Sequence, residues 1–280
     1  MFSIEKIFSQ WNVPDFNGNP AHLFETIEST HTQMKLKAAA GEIAPGALFI
    51  ADKQLAGRGR HERTWTSPAG KNLYFNILIP LEGIPLATAP QITQVVALTL
   101  AEIFRDLQGD KTPQQDRVTV KWPNDILCGK SKFCGILAEV VYTPGAKPAL
   151  NLGIGINVNS DPSDYSSIGR AVTTLKAIAG KPINRERLMQ AIVGNLERAL
   201  GQFKAFGISP WVQAWRKMDQ FIGARGTIIV SRNCTDQNRD GGEGVQKKSG
   251  RILDMQPDGS LLFETDDGDV QTVYSADLEI

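Results

Sequence analysis

The chain has 280 residues, with 30 Lys and Arg against 30 Asp and Glu and a formal net charge of zero. Hydrophobic residues make up 41% and charged ones 21%, enough apolar content for a packed core, which excludes wholesale disorder. Balanced charge argues against a dedicated nucleic-acid coat or a polybasic membrane binder, while leaving room for a small basic site.

The N-terminus, MFSIEKIFSQWN, is interrupted by Glu5 and Lys6 before any apolar run forms, so it lacks a secretory pattern. No stretch approaches the roughly 18 uncharged apolar residues of a bilayer span. Cys128, Cys134 and Cys234 are odd in number and lack CxxC spacing. They give neither a disulfide framework nor a zinc site and point to reduced thiols in a cytoplasmic protein. His22, His31 and His61 are too far apart for a sequence-adjacent metal pair.

Residues 1–24 read as a loose leader rich in Asn, Pro and Gly. Ser29 and Thr30 then precede good helix formers, predicting an N-cap and a short helix that ends near Gly41. GALFIAD (46–52) reads as a buried strand, and KQLAGRGRHERTWTSPAGK as a long loop without hydrophobic period. NLYFNILIP is a strand. Apolar residues at 92, 95, 96, 100, 103, 104 and 107 make one face of a helix. VTVKWP and GILAEVVY read as strands joined by NDILCGKSKFC, and ALNLGIGINVN as a further strand thinned by Gly153 and Gly155. Leu188, Ile192, Leu196, Leu200 and Phe203 mark a helix over 184–206, followed by a short helix bearing Trp211 and Trp215. After Gly223 come the short strands GTIIV, RILDM, SLLFE and VQTVY, a spacing that suits a small β-barrel. The insertion at 233–249 reads as a polar, Gly-rich hairpin tip.

The chemistry concentrates in GRGRHER. Arg58, Arg60 and Arg63 alternate with Gly57 and Gly59, three guanidinium groups against one carboxylate at Glu62. Glycine lets the backbone approach a ligand closely, and arginine forks match carboxylate and phosphate oxygens. The competing reading is a solvated surface loop or a stray RG-type RNA contact. Downstream, Lys121 and Asn124 in KWPND and Lys132 ahead of a strand offer further anchors for an anion. Each lysine alone reads better as an ordinary exposed residue, and Trp122 as a half-buried core aromatic. The glycines of GIGIN suggest close approach by a ligand or by another backbone. No Walker A loop, GxGxxG turn or GxSxG elbow is present. Such a site would act by positioning and charge neutralisation, as in transfer at a nucleotide phosphate.

In order and spacing, QLAGRGRHERTWTSPAGKNLYFNI, VKWPNDI, KSKFCGILAEV and NLGIGINVN closely resemble biotin–protein ligases, over roughly residues 25–275. The resemblance implies an α+β fold. A mixed β-sheet with packed helices, of the class II synthetase and biotin–lipoate ligase kind, would span 25–222, and an SH3-like C-terminal β-barrel 223–280. It implies that biotin and MgATP give biotinyl-5′-AMP and pyrophosphate, and that biotin then passes to a lysine of a biotin carboxyl carrier protein. The ligands would be ATP, Mg²⁺ carried by ATP, and biotin as substrate.

By resemblance, Ser29, Thr30 and Gln54 would hold the ureido head of biotin. Gly57, Arg58, Gly59 and Arg60 would close over its carboxylate and the α-phosphate, and Trp65 would shield the tail. Lys132 and Gly135 would line the biotin site, with Arg60 and Lys132 as the catalytic pair. Arg58, Arg60, Arg63, Lys121, Asn124, Lys132 and Asn157 would meet ATP, Asn157 at adenine or ribose. His31 stands where the family often has Asn. Cys134 stands where Gly or Ala is usual and reads as pocket wall. The stretch before the catalytic pattern is too short for a helix-turn-helix, so no DNA binding is expected. No membrane association is expected either, and the chain would act as a monomer or homodimer. Three alternatives stand beside this reading: a lipoate–protein ligase or octanoyltransferase, a nucleic-acid binder using the Gly-Arg loop, and a pseudo-enzyme that scaffolds carboxylase subunits.

Overall fold

The computed structural model describes residues 8–61, 63–109, 113, 116–231 and 245–280. A seven-stranded sheet runs in the order β1-β2-β3-β7-β6-β5-β4. Its strands are β1 (Ala21–Ile27), β2 (Leu48–Gln54), β3 (Leu73–Pro80), β4 (Val118–Lys121), β5 (Asp125–Cys128), β6 (Ser131–Thr143) and β7 (Lys147–Ile156). β1 and β2 pair in parallel and the other neighbours are antiparallel, so the sheet is mixed as expected.

Strand alternation divides the sheet chemically. Leu73, Phe75, Ile77 and Ile79 of β3, with Leu150, Leu152, Ile154 and Ile156 of β7, pack into the main core. That core is completed by α2 (Ala89–Gln108), α4 (Arg185–Phe206) and α5 (Ser209–Met218). The predicted single apolar face of α2 is too narrow. Ala97, Leu98 and Ala101 are buried as well, because the helix packs against both the sheet and α4. With the preceding turn, Leu86–Gln108 is long and apolar enough on composition to cross a membrane, contrary to the sequence expectation; 61% of its apolar window is buried inside the protein, as in a core helix. The opposite sheet face carries α1 (Thr30–Ala40), where Met34 and Ala38 meet Phe49, Leu78, Val141 and Ala149. Ser29 caps α1, its hydroxyl accepting from Thr32 N at 3.3 Å, and Gly41 ends it at φ 75°.

Three assignments change. Residues 8–24 do not form a loose leader: Phe8, Trp11 and Phe16 are buried in the core and β1 opens at Ala21. The segment read as a joining loop, NDILCGKSKFC, contributes β5 and the start of β6 as an antiparallel hairpin. The insertion at 233–249 is in part strand, since β9 runs Val245–Met255; residues 232–244 lie outside the described residues.

The C-terminal unit is a five-stranded antiparallel sheet, β11-β10-β9-β8-β12, consistent with an SH3-like domain. Besides β9 it comprises β8 (Arg225–Ser231), β10 (Leu261–Thr265), β11 (Val270–Val273) and β12 (Asp277–Glu279), the last unforeseen. It docks through the turn at Gly259, whose carbonyl accepts from Gln94 Nε2 at 2.6 Å and Trp122 Nε1 at 3.1 Å. Gly259 has φ +81°, and a Cβ there would meet Gln94 at 2.3 Å, so this approach needs glycine. Trp122 is fully buried rather than half-buried, because it lies under this contact.

Candidate active site

A cleft partly open to solvent lies on the α1 face of the sheet. The alternation that sends the large residues of β3 and β7 to the core turns Tyr74, Asn76 and Leu78, and Ala149, Asn151, Gly153 and Gly155, to this side. Register sets Asn76 opposite Gly153 and Gly135 opposite Gly155. A floor with no side chains results, and Trp65 covers it: a Cβ on Gly155 would stand 2.5 Å from its ring, one on Gly135 3.0 Å. The two glycines singled out in GIGIN are therefore points of close approach to Trp65 and to the polar end of the cleft.

That polar end is one hydrogen-bonded network. Thr30 N donates to Gln54 Oε1 at 2.9 Å, and Thr30 Oγ1 lies 2.7 Å from Asn76 Oδ1 and 3.0 Å from Gln54 Oε1. Gln54 Nε2 donates to Ser67 Oγ, which donates to Trp65 O. Asn76 Nδ2 donates to Asn151 Oδ1 at 2.7 Å and faces His31 Nδ1 at 3.0 Å. Neutral, buried and directional, these groups suit a small polar ligand.

The other end is charged. The Gly-Arg loop is a tight hairpin: Gly59 N donates to Arg63 O, Arg63 N to Arg60 O and Trp65 N to Gly57 O. A Cβ on Gly57 would lie 2.5 Å from Trp65 O, so the first glycine serves the hairpin. Arg58, Arg60 and Arg63 line the cleft with Arg170 and Lys132. Lys132 pairs with Asp125 and lies 5.7 Å above the Trp65 ring. Asp277 of β12 faces Arg60 at 3.3 Å, His61 at 3.2 Å and Arg63 at 3.1 Å. Asn124, fixed by Nδ2 donating to Ile136 O at 2.6 Å, accepts from Arg60 at 3.3 Å.

Thr30, Gln54, Arg58, Gly59, Arg60, Arg63, Trp65, Asn124, Lys132 and Gly135 thus come together around one cleft. Ser29, Gly57, Lys121 and Asn157 are not among its lining residues. Ser29 spends its oxygen on the α1 cap. Lys121 is held below its ordinary pKa, chiefly by burial. Asn157 borders a small adjoining pocket together with Trp65 and Lys132. There Asn157 Oδ1 and Trp65 Nε1 are buried without a protein partner. Cys134 is no pocket wall: the neighbouring Gly135 takes the cleft side, and Cys134 is buried in the core, which pushes its thiol pKa up. Asp125 lies in the KWPND motif but had no role assigned to it; Asn76, Arg170 and Asp277 carry no local sequence signal, and the places of Asn76 and Asp277 come from strand register and from the docking of β12.

The family pattern described as "Biotin/lipoate A/B protein ligase family" matches residues 23–159. The chain is 31% identical over 261 residues to the bifunctional ligase/repressor BirA of Bacillus subtilis, covering 92% of this chain and 74% of that one. It is 26% identical to the biotin–[acetyl-CoA-carboxylase] ligase of Mycobacterium tuberculosis, covering 81% of this chain and 86% of the relative. In fold it is similar to the biotin protein ligase of Aquifex aeolicus solved with biotin and ATP, with a TM-score of 0.72 at 24% identity over 92% of this chain and 97% of that one. Sequence and fold agree that this chain belongs to the biotin protein ligase family.

Proposed function

We propose that this chain activates biotin with ATP and transfers it to a lysine of a biotin carboxyl carrier protein. The observation that carries the reading is one cleft with two unlike ends: the neutral Thr30–Gln54–Asn76 network and the cationic Arg58–Arg60–Lys132 end, joined by the glycine floor under Trp65. Biotin has the matching shape, a neutral ureido head and an apolar body ending in a carboxylate.

In the first step a biotin carboxylate oxygen attacks the α-phosphorus of ATP, a P–O bond forms, and pyrophosphate leaves. Arg60 and Lys132 lie at the charged end, where they neutralise the converging anions. Both are now paired with carboxylates, Asp277 and Asp125, so substrate anions exchange for partners already present. Asn157 Oδ1, buried and unpartnered, is an acceptor for nucleoside hydroxyl or amino groups. Among the described residues no group of three or more His, Cys, Asp or Glu forms a metal cage. The oxygens of Asn124 and Asp125 suit a hard cation that brings most of its ligands with the triphosphate, as Mg²⁺ does; bound there, it would screen phosphate charge. In the second step the carrier lysine amine attacks the acyl carbon and AMP departs with the C–O bond electrons. Trp65 and the hairpin keep water from the mixed anhydride.

The test is incubation with biotin, ATP, Mg²⁺ and a carrier domain, read by mass spectrometry. A biotinyl mass gain on one carrier lysine is expected. Modification by lipoate but not biotin would replace this reading with the lipoate alternative.

A further inference from the structure

At the polar end of the cleft sits a buried histidine that the reaction does not use. His31, on the first turn of α1, is buried and lines the cleft beside Thr30. Its Nε2 lies 3.1 Å from Glu139 Oε2 on β6, and its Nδ1 lies 3.0 Å from Asn76 Nδ2 on β3. Asn151 Nδ2 on β7 donates to the His31 backbone carbonyl at 2.9 Å. Lys35, one turn along α1, pairs with the other oxygen of Glu139, and Arg58 is the further charge acting on the ring.

These contacts fix the protons on Asn151, Asn76 and His31. Asn151 is committed, because its Nδ2 already donates to His31 O and its Oδ1 therefore accepts from Asn76 Nδ2. That fixes the Asn76 amide, with its nitrogen toward His31 and its oxygen toward Thr30. His31 Nδ1 must then accept, and Nε2 carries the proton toward Glu139. The Thr30 hydroxyl faces two acceptors; its one proton goes to the nearer, Asn76 Oδ1 at 2.7 Å, rather than to Gln54 Oε1 at 3.0 Å, and its oxygen remains an acceptor at the cleft. A proton added at His31 Nδ1 would set two donors 3.0 Å apart. Asn76 cannot turn to relieve this without setting its oxygen against Asn151 Oδ1.

We propose that His31 is a positioning residue for the ligand head: as a neutral imidazole it locks Asn76, and through Asn76 it holds Thr30 as an acceptor for a ligand N–H. This rests on the reading of biotin as substrate, whose ureido group supplies such N–H donors. Protonation of His31 unlocks the head pocket and leaves the phosphate end untouched. Burial, the largest influence, holds the imidazole below its ordinary pKa, against the pull of the Glu139 carboxylate. The site is therefore competent at neutral pH and fails on acidification.

The experiment measures biotin-dependent pyrophosphate exchange from about pH 5 to 8, the range of histidine titration. In the unaltered protein the KM for biotin should rise about tenfold toward the acid end, the worth of one hydrogen bond, while the KM for ATP and kcat do not follow it. His31→Asn keeps an acceptor oxygen near the Nδ1 position but cannot titrate; its biotin KM should be flat with pH. Glu139→Gln removes the charge that favours imidazolium, so the rise should move to lower pH. A flat biotin KM in the unaltered protein, or an unchanged rise in His31→Asn, overturns the proposal. Absence of biotin-dependent exchange at every pH overturns the substrate reading and this inference with it, a result distinct from a flat profile.

Discussion

Asp277 lies 3.3 Å from the guanidinium of Arg60, a contact between the C-terminal sheet and the hairpin of the main cleft. The same carboxylate reaches His61 and Arg63, and Arg60 also donates to Ala276 O. One anion thus organises two guanidinium groups and an imidazole of one short segment. Exposed ion pairs are individually weak, so the effect resides in the network and in the partial burial of Asp277. Asp277→Asn should leave the fold intact and loosen the hairpin. Limited trypsin digestion should then cut at Arg58, Arg60 or Arg63 several times faster than in the unaltered protein. An unchanged cutting rate would show that the hairpin is held by its backbone hydrogen bonds alone.

Arg60→Ala and Lys132→Ala should each lower adenylate formation about 10²–10³-fold, the usual cost of losing one preorganised charge-stabilising group. Pyrophosphate release checks this. Circular dichroism should show folded variants, since neither side chain is part of the hydrophobic core.

Gly155→Ala places a methyl group 2.5 Å from the Trp65 ring, so the indole must leave the floor of the cleft. Calorimetry should show biotin affinity falling at least about tenfold, because the apolar body loses its cover. Gly201→Ala in α4 meets no neighbour and serves as the control. It should stabilise the protein by about 0.5–1 kcal/mol and leave binding unchanged.

Long periodic segments were legible in the sequence. α1 with its Ser29 cap and Gly41 terminus, the face of α4 and the strand at 73–80 all follow from local pattern and capping chemistry. β1, β5 and β12 were not. β5 and β12 have only 4 and 3 residues, and β1 is a partly exposed edge strand with no alternation to mark it. The site divides in the same way. Glycines interleaved with arginines form a pattern visible along the chain. A single asparagine in an apolar strand, such as Asn76, does not, because its role arises from lying opposite Gly153.

The packed N-terminal segment gives a stability prediction. Trp11 is buried, with its ring 4.7 Å from Phe8 and under the Arg185 guanidinium at 5.0 Å. Arg185 in turn donates to buried Asp52 at 2.7 Å. Trp11→Ala should cost about 3–5 kcal/mol in urea unfolding. A loss below about 1 kcal/mol would mean that residues 8–20 contribute little to the core.

Asp219 supplies a pH dependence. Its carboxyl, which accepts from Trp215 Nε1 and Phe221 N, is pushed up to about 6, chiefly by burial. In the unfolded chain it returns toward 3.8, so between these values the folded form holds a proton that the unfolded form releases. Its contribution to stability is full below the lower value and is lost as pH rises through the higher, about 2–3 kcal/mol in all. Carboxyl carbon NMR should give a midpoint near 6; one near 4 would contradict the burial argument.

The hairpin and the carboxylate that braces it are distant in the chain: Arg60 and its acceptor Ala276, next to Asp277, stand 216 positions apart. Contacts of such separation form late in folding, after the loop-closure entropy between them has been met. During synthesis the arginine hairpin emerges long before its counter-charge. The brace at the anion-binding end therefore follows the sheet and the glycine floor in the order of synthesis.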